Sequence, residues 1–332
     1  MTDQVKKVVG EIVKIGLPFL LAGAILWWMY RGFDWDVVKG ALSSEMSWTW
    51  MLLSMPFGIL AQVFRGLRWR QVLEPMGEKP RIHTCINAIF LSYASSLVVP
   101  RVGEILRCGV LKRYEGTNFS QSIGTVVTER VVDVMLILII TLFTILLQIP
   151  IFAKFMMSTG LSFDALFSRF TATGYLVTLV CLLVLVLGMW LLFRRFRLFS
   201  KTRDVVSDVT AGILSVRHLQ SPLLFLFYSL AIWICYYLHF YLTFFCFDFT
   251  ENLGAIAALV AFVVGTFAVL VPTPNGAGPW HFAVKTILVL YGVGQTDAAI
   301  FVLLVHTLQT FLVALLGIYA LVALFLTKPR KV

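Results

Sequence analysis

Two short stretches of this chain interrupt apolar segments in the same way, 172 residues apart from Pro100 to Pro272. In each, an apolar run ends at a proline, a glycine follows, and a shorter helix-forming run begins. Proline and glycine stop a helix and leave backbone groups unpaired. Lipid cannot satisfy these groups, so such a break persists only where protein or a polar cavity surrounds it. Matched breaks in two halves of a chain indicate a transporter-type binding site.

The composition identifies the class of protein. The chain has 332 residues, of which 59% are hydrophobic and 13% are charged, and its mean hydropathy is +0.90. A soluble domain carries about a quarter charged residues, so we predict an all-α integral membrane protein. The net charge of +10 does not indicate a nucleic-acid partner, because the basic residues lie in short loops between apolar segments. There they act as topology signals and contact anionic lipid headgroups.

Apolar windows of about 20 residues predict six full spanning helices. They lie at about 12–30, 48–66, 122–148, 172–193, 222–247 and 298–326. Lysine and arginine cluster at the chain start, after the second span, in the central loop and at the chain end. By the positive-inside rule these regions, and so both termini, are cytoplasmic. The less basic loops are expected outside, at 31–47, 149–171 and 248–254.

The same rule predicts that the two broken segments are re-entrant helical hairpins. If the apolar run 84–99 crossed the membrane, Lys112 and Arg113 would lie outside, against the rule. A hairpin over 84–114 that enters from the cytoplasm removes the conflict, and the same logic makes 255–292 a hairpin that enters from outside.

The predicted architecture is therefore symmetric. One polytopic domain over 1–332 would contain inverted-topology repeats at about 1–160 and 161–332. Eight ordinary spanning helices, two of them kinked by proline, are the alternative. In either case we expect a multi-pass protein of the inner (cytoplasmic) membrane.

The first break is followed by an ionic motif. Arg101, Glu104 and Arg107 are spaced three apart, so Glu104 and Arg107 share one face of a helix that begins near Val102. Because a guanidinium binds phosphate bidentately, Arg101 or Arg107 is a candidate ligand for a lipid phosphate, with Glu104 orienting the arginine. The alternative is a structural ion network that pins the hairpin.

The third span carries a second ionic motif. Glu129 and Asp133 lie one turn apart, and Arg130 is adjacent to Asp133 at a spacing of three. Ionisable groups inside a spanning helix indicate a functional site. We expect Glu129 or Asp133 to pair with Arg101 or Arg107, and proton coupling through either carboxylate is the alternative.

The second break offers backbone groups rather than charges. Its two glycines let the chain turn tightly and expose N–H groups, and Pro279 suits the first turn of the helix that follows. A helix N-terminus favours an anionic headgroup. The candidate headgroup-binding residues here are Pro272, Asn275, Gly276, Gly278, His281 and Lys285.

Other chemistry is not indicated. The sequence has no nucleotide-binding loop, metal-ligand spacing or nucleophile elbow, so we predict no cofactor, no metal and no catalytic residue. The five cysteines are scattered, which is typical of buried structural thiols.

Taken together, the motifs at 100–107, 128–133 and 272–278 resemble the flippase-like membrane region of lysylphosphatidylglycerol synthases and its stand-alone relatives. The resemblance covers essentially the whole chain. It implies movement of aminoacylated phosphatidylglycerol between leaflets, while a separate soluble domain in bifunctional members attaches the amino acid. Because this chain ends at Val332, we expect no aminoacyl transferase activity. Stand-alone relatives linked to polyprenyl-phosphate sugar pathways leave the lipid open.

The sequence thus predicts a lipid translocase or lipid-binding transporter for a phosphate-bearing lipid. The expected partners are membrane lipids, chiefly anionic, together with a lipid-synthesis enzyme, and oligomerisation is compatible with the sequence. We expect transport rather than chemistry. The alternatives are a membrane-embedded headgroup or glycosyl transferase that uses Glu104 or Glu129, and an accessory subunit of a lipid synthase.

Overall fold

The computed structural model describes residues 20, 22–31, 35–151, 154 and 219–330. These residues form helices and connecting turns, without a strand among them. Four helices are long and apolar enough to cross a membrane, which makes the chain a multi-pass membrane protein. They are Trp48–Met76, Phe119–Leu147, Pro222–Cys246 and Gln295–Leu326, and each coincides with a predicted span. The predicted span 172–193 and the predicted boundary between the repeats, at about residue 160, lie outside the described residues.

The helices are numbered in chain order within the described residues. They are α1 (22–30), α2 (Trp35–Gly40), α3 (Trp48–Leu73), α4 (Ile82–Ser95), α5 (Val102–Glu115), α6 (Phe119–Leu147), α7 (Pro222–Tyr241), α8 (Asp248–Glu251), α9 (Gly254–Ala268), α10 (Pro279–Leu290) and α11 (Gln295–Leu326). Short π and 3-10 segments lie at Ala41–Glu45, Glu74–Met76, Leu242–Cys246 and Pro274–Gly276.

The first break joins α4 and α5 into a closely packed pair. Each helix has 14 residues and is therefore about 21 Å long, short of a hydrocarbon core of about 30 Å. Arg81, just before α4, donates from Nε to Oε1 of Glu115 at the end of α5 over 2.8 Å. Its Nη2 also donates to the Lys328 carbonyl after α11. Both ends of the pair therefore lie at one end of the bundle, beside the end of α11.

A glycine permits this packing. A Cβ atom on Gly103, in the first turn of α5, would overlap the carbonyl oxygen of Ser92 in α4. Because that neighbour is backbone, it cannot rotate away, and only glycine fits. The glycine of the first break therefore brings two helices together in addition to ending a helical run.

The second break joins α9 and α10, which have 15 and 12 residues and pack against each other. Tyr237, near the end of α7, donates to the Ala255 carbonyl at the start of α9 over 2.7 Å. Ser47, before α3, donates from its backbone to the Cys246 carbonyl after α7 over 2.8 Å. The pair thus begins where α3 begins. Since α3 is about 39 Å long and ends beside α4, the two pairs start at opposite ends of the bundle.

The tips of the two pairs meet. Nη2 of Arg101, in the first break, donates to the carbonyl oxygen of Leu270, in the second, over 2.9 Å. Arg101 has φ +65° and Asn275 has φ +51°. Within the described residues these are the two non-glycine residues with positive φ, a conformation that costs energy and concentrates at functional sites. Each break therefore holds one strained residue.

Candidate functional site

A buried ion network connects α3, α5 and α6. Asp133 accepts a hydrogen bond from Arg65 Nη1 over 2.7 Å and forms an ion pair with Arg68 Nη2 at 2.8 Å. Glu129 forms an ion pair with Arg107 Nη1 at 2.8 Å and lies 3.5 Å from Arg68 Nε. All five residues are buried, with exposed fractions of 5% or less. Buried charges persist when they are paired, and here the pairs bind the first helix pair to two spanning helices.

The pairing agrees with part of the sequence interpretation. The Arg107–Glu129 pair is one of those expected. Glu104, however, forms its ion pair with Arg130, whereas the sequence suggested that it would orient Arg101 or Arg107. Arg130 also lies 3.8 Å from Asp133. The Glu104–Arg130 pair is about two-fifths exposed, so it forms the outer edge of the network.

Two members of the network were missed by the sequence analysis. The predicted second span ends at residue 66, which placed Arg68 in a cytoplasmic loop and left Arg65 at its edge. Instead, α3 continues to Leu73 and buries both arginines. Their spacing of three on one helix face was the available signal, but their carboxylate partners lie on α6, far along the chain.

Aromatic and hydroxyl groups hold the arginines in place. The guanidinium of Arg107 lies 4.5 Å from the centre of the Trp69 ring, and Trp69 Nε1 donates to Thr125 Oγ1 over 2.9 Å. Arg68 Nη1 donates to Ser229 Oγ on α7 over 3.2 Å. The fully buried part of the network contains three arginines and two carboxylates, so it carries one excess positive charge.

The second break is held by neutral hydrogen bonds. Asn275 Nδ2 donates to Thr310 Oγ1 over 2.7 Å, and His306 Nε2 lies 3.1 Å from the Asn275 carbonyl oxygen. The rings of His281 and His306 are 4.5 Å apart between centres. The Gly278 N–H donates to His281 Nδ1, so this histidine caps α10. Residues of α10 and α11 together fix the turn.

A cavity of about 740 Å³ lies between the two breaks. This volume is within the range of small-molecule sites. Its described polar lining consists of Tyr30, Arg31, Asn275, His281, His306, Thr307 and Thr310. Its described apolar lining consists of Leu26, Trp27, Leu97, Pro274, Ala277 and Leu303. Leu97 belongs to the first break and the Pro274–Ala277 turn to the second, so both breaks form walls of one cavity.

The predicted site residues divide between these places. Asn275 and His281 line the cavity, whereas Gly276 and Gly278 are buried in the turn with φ of +71° and +89°. Pro272 is exposed and Lys285 is half-buried on α10, and neither is in the described lining. Arg101 joins the tips, and the ion network contains the other predicted residues, Glu104, Arg107, Glu129, Arg130 and Asp133.

Arg31 was not predicted as a lining residue, because the charge pattern places it in an outer loop at 31–47. Its guanidinium lies 5.5 Å from the centre of the Trp27 ring, so a cation and an aromatic face occupy one side of the cavity. Across the described part of the chain, no three His, Cys, Asp or Glu side chains are grouped so as to hold a metal ion.

The sequence profile of the lysylphosphatidylglycerol synthase TM region matches residues 15–317. The chain belongs to this family. The resemblance predicted from the three motifs is therefore confirmed, and it indicates a membrane role connected with lipids. The chain is also similar to the glycosyltransferase AglD of Haloferax volcanii, with 29% identity over 80 residues, which are 24% of this chain and 13% of that protein. Solved structures give no match.

In this member of the lysylphosphatidylglycerol synthase TM family, the three motifs form two adjoining structures. The motifs at 100–107 and 128–133 form the ion network, and the motif at 272–278 forms a cavity wall. The Arg101–Leu270 contact joins them. The chemistry available is therefore polar recognition in the cavity beside a charged, tightly paired support.

Proposed function

We propose that the protein is a lipid translocase or lipid-binding transporter that moves a phosphate-bearing lipid between leaflets. The observation that carries this proposal is the cavity shared by both breaks, which combines Arg31 and imidazole, amide and hydroxyl groups with apolar side chains. A lipid headgroup needs the polar groups, and the first carbons of its tails need the apolar ones. The headgroup would lie in the cavity while the tails stay in the bilayer.

The two helix pairs serve as re-entrant hairpins in this proposal. Support comes from their short helices and from the Arg81–Glu115 contact between the two ends of the first pair. The opposite starting ends of the pairs support an inverted-topology repeat, with halves at about 1–160 and 161–332. The first pair starts at the basic end of the bundle, which we assign to the cytoplasmic side of the inner membrane, with both termini there.

Arg31 is the proposed phosphate contact in the cavity. Arginine binds phosphate through a planar set of donors. Among the described lining residues, Arg31 alone is a lysine or arginine. Arg101 would couple the headgroup site to the first hairpin through the tip contact. Arg107 forms an ion pair with Glu129, and Glu129 and Asp133 form ion pairs with arginines of α3, so we assign them the support of the hairpin.

A leaflet-resolved assay in liposomes tests the proposal. The assay compares three labelled lipids, phosphatidylglycerol, lysylphosphatidylglycerol and a polyprenyl phosphate, with labelled phosphatidylcholine. Movement between leaflets is measured by quenching the label in the outer leaflet. We expect the wild type to accelerate at least one of the first three lipids relative to phosphatidylcholine, whose phosphate is neutralised by its own choline group. Arg31→Gln should slow that movement by about tenfold or more, the loss of one charge-assisted contact. Lys112→Gln, an exposed charge on α5 outside the cavity, is the matched control.

The proposal fails if folded wild-type protein moves none of these lipids faster than empty liposomes. It also fails if Arg31→Gln and Lys112→Gln reduce movement equally, because the cavity would then have no special role. Size-exclusion and melting profiles of each variant separate loss of function from loss of folding.

A transferase is the second candidate, and the partial similarity to a glycosyltransferase favours it. In that case Glu104, whose side chain is about two-fifths exposed, is the candidate acid. Incubation of purified protein with a radiolabelled polyprenyl-phosphate sugar and acceptor lipids would test it. A new labelled product that disappears in Glu104→Gln would support a transferase, and recovery of unchanged donor would argue against one.

A further inference from the structure

A second cavity, of about 600 Å³, lies at the end of the bundle where α3 ends and α4 begins. We call it the basic pocket, and its lining residues are Arg70, Lys79, Pro80, Arg81, Ile82, His83 and Arg330. Five of these seven residues carry a basic side chain, and none is acidic. The basic pocket shares no described lining residue with the cavity between the breaks.

The walls of the basic pocket are fixed by contacts between distant segments. Arg81 donates to the buried carboxylate of Glu115 over 2.8 Å and to the Tyr114 carbonyl over 3.1 Å. The Arg330 backbone N–H donates to the same Tyr114 carbonyl over 2.8 Å, and Arg330 Nη1 donates to the Lys79 carbonyl over 3.2 Å. The pocket is therefore a built concavity and not a loose group of surface side chains.

Its positive charge is only partly neutralised. Arg70 pairs with Glu74 at 3.4 Å, and Arg81 pairs with Glu115 at 2.8 Å. For Lys79 and Arg330, by contrast, the described residues supply no acidic partner within ion-pair distance. Two positive charges in one concavity thus lack a counter-charge from this part of the protein, and a counter-ion of similar size would be attracted to them.

The start of α4 adds backbone donors. Ile82 and His83 are the first two residues of this 14-residue helix, and both line the basic pocket. The Arg81 N–H at the helix start donates to Glu115 Oε2 over 3.2 Å, and the N–H groups of the first turn after it have no acceptor within the helix. These N–H groups together with lysine and arginine match the oxygen atoms of a phosphate group.

We propose that the basic pocket binds a phosphate group, carried by an anionic membrane lipid or by a soluble phosphate compound. The pocket also offers a means to distinguish these sources, because Ile82 at its edge is 43% exposed. An acyl chain would contact Ile82, and a free phosphate would not. By contacting segments that come from α3, α4 and the chain end, the ligand would tie the base of the first helix pair to its neighbours.

Binding to the purified full-length chain in neutral detergent tests the proposal. The probes are phosphatidic acid, counted by native mass spectrometry, and inorganic phosphate, followed by the shift in melting temperature. The pocket variant is Lys79→Gln with Arg330→Gln, and Lys79→Gln alone serves if the double variant misfolds. The matched control is Lys112→Gln with Lys328→Gln, which removes two exposed charges outside the pocket lining.

We expect the pocket variant to weaken binding of at least one probe about tenfold or more and the control to change it less than twofold. If Ile82→Asn also weakens the binding of phosphatidic acid, the ligand is a lipid. If inorganic phosphate binds and Ile82→Asn does not change its binding, the ligand is a soluble phosphate compound. Equal effects of the pocket and control variants on both probes would overturn the proposal. Arg31→Gln should leave this binding intact, so the result is independent of the translocase assay.

Discussion

The two breaks of this protein both interrupt an apolar helical run, but different polar contacts hold them in place. After the first break, Arg107 enters a buried network of paired charges. At the second break, Asn275 is held by neutral hydrogen bonds from α11. Each break contains one strained residue with positive φ, Arg101 or Asn275. Three residues of the second break line the cavity, Pro274, Asn275 and Ala277, whereas the first break contributes Leu97. The charged motif therefore forms an ion network, and the uncharged motif forms more of the cavity wall.

The largest expected effect concerns the charged side. Glu129→Gln would leave three buried arginines with one carboxylate, and breaking a buried pair costs about 3–5 kcal/mol. We expect the free energy of unfolding to fall by about that amount. It is measured by titrating the detergent-solubilised protein with a mild denaturant. Glu104→Gln is the comparison, because its ion pair is partly exposed and such pairs contribute about 0–1 kcal/mol. Equal losses in the two variants would contradict the assignment of Glu129 as the main support.

The packing of the first pair gives the next effect. Gly103→Ala would force α4 and α5 apart, because the added Cβ overlaps the backbone of Ser92, and overpacking costs about 1–3 kcal/mol. Gly109→Ala on the same helix is the matched control, because a Cβ there meets nothing within 4 Å. The control should be neutral or stabilising by up to about 1 kcal/mol. Thermal melting of both variants checks this, and a harmless Gly103→Ala would contradict the close packing.

The strain in the breaks can be compared directly. Arg101→Gly and Arg101→Ala both remove the hydrogen bond to Leu270, but only glycine adopts positive φ without strain. We expect the glycine variant to be more stable than the alanine variant by about 1 kcal/mol. The same ordering should hold for Asn275→Gly and Asn275→Ala. An alanine variant as stable as its glycine counterpart at either position would show that the strain is absent there.

The smallest effect tests the neutral side. Thr310→Val keeps the shape of the side chain and removes the acceptor of the Asn275 amide, which should lower the free energy of unfolding by about 1 kcal/mol. If the second break forms the cavity wall, translocation should fall more in Thr310→Val than in Glu104→Gln. Liposome assays on both variants measure this order, and the reverse order would move the headgroup site towards the charged side.

Local features of the sequence predicted much of the fold. The spans that correspond to α3, α6, α7 and α11 follow from hydropathy, and the breaks at Pro100 and Pro272 follow from residues that stop a helix wherever they occur. These signals act over one or two turns, so no knowledge of packing was needed. For the same reason the Asn275 turn could be placed but its partner Thr310 could not.

The site was less predictable because it depends on contacts between distant residues. Arg65 and Arg68 resembled loop charges until α6 brought Glu129 and Asp133 beside them. Arg31 joined the cavity because the end of α1 lies against the second break. A rule for charge topology treats every arginine as a signal for the cytoplasmic side, and it cannot recognise the few that are buried by pairing.

The contact between the tips of the two helix pairs depends on the side chain of one of its two residues and on the backbone of the other. It requires an arginine at position 101, but at position 270 it uses a carbonyl oxygen that every amino acid possesses. Replacement of Leu270 would therefore leave the acceptor in place as long as the backbone keeps its path. The connection between the two breaks thus depends on the side chain of Arg101 only, and the side chain at position 270 is free to change without loss of the hydrogen bond.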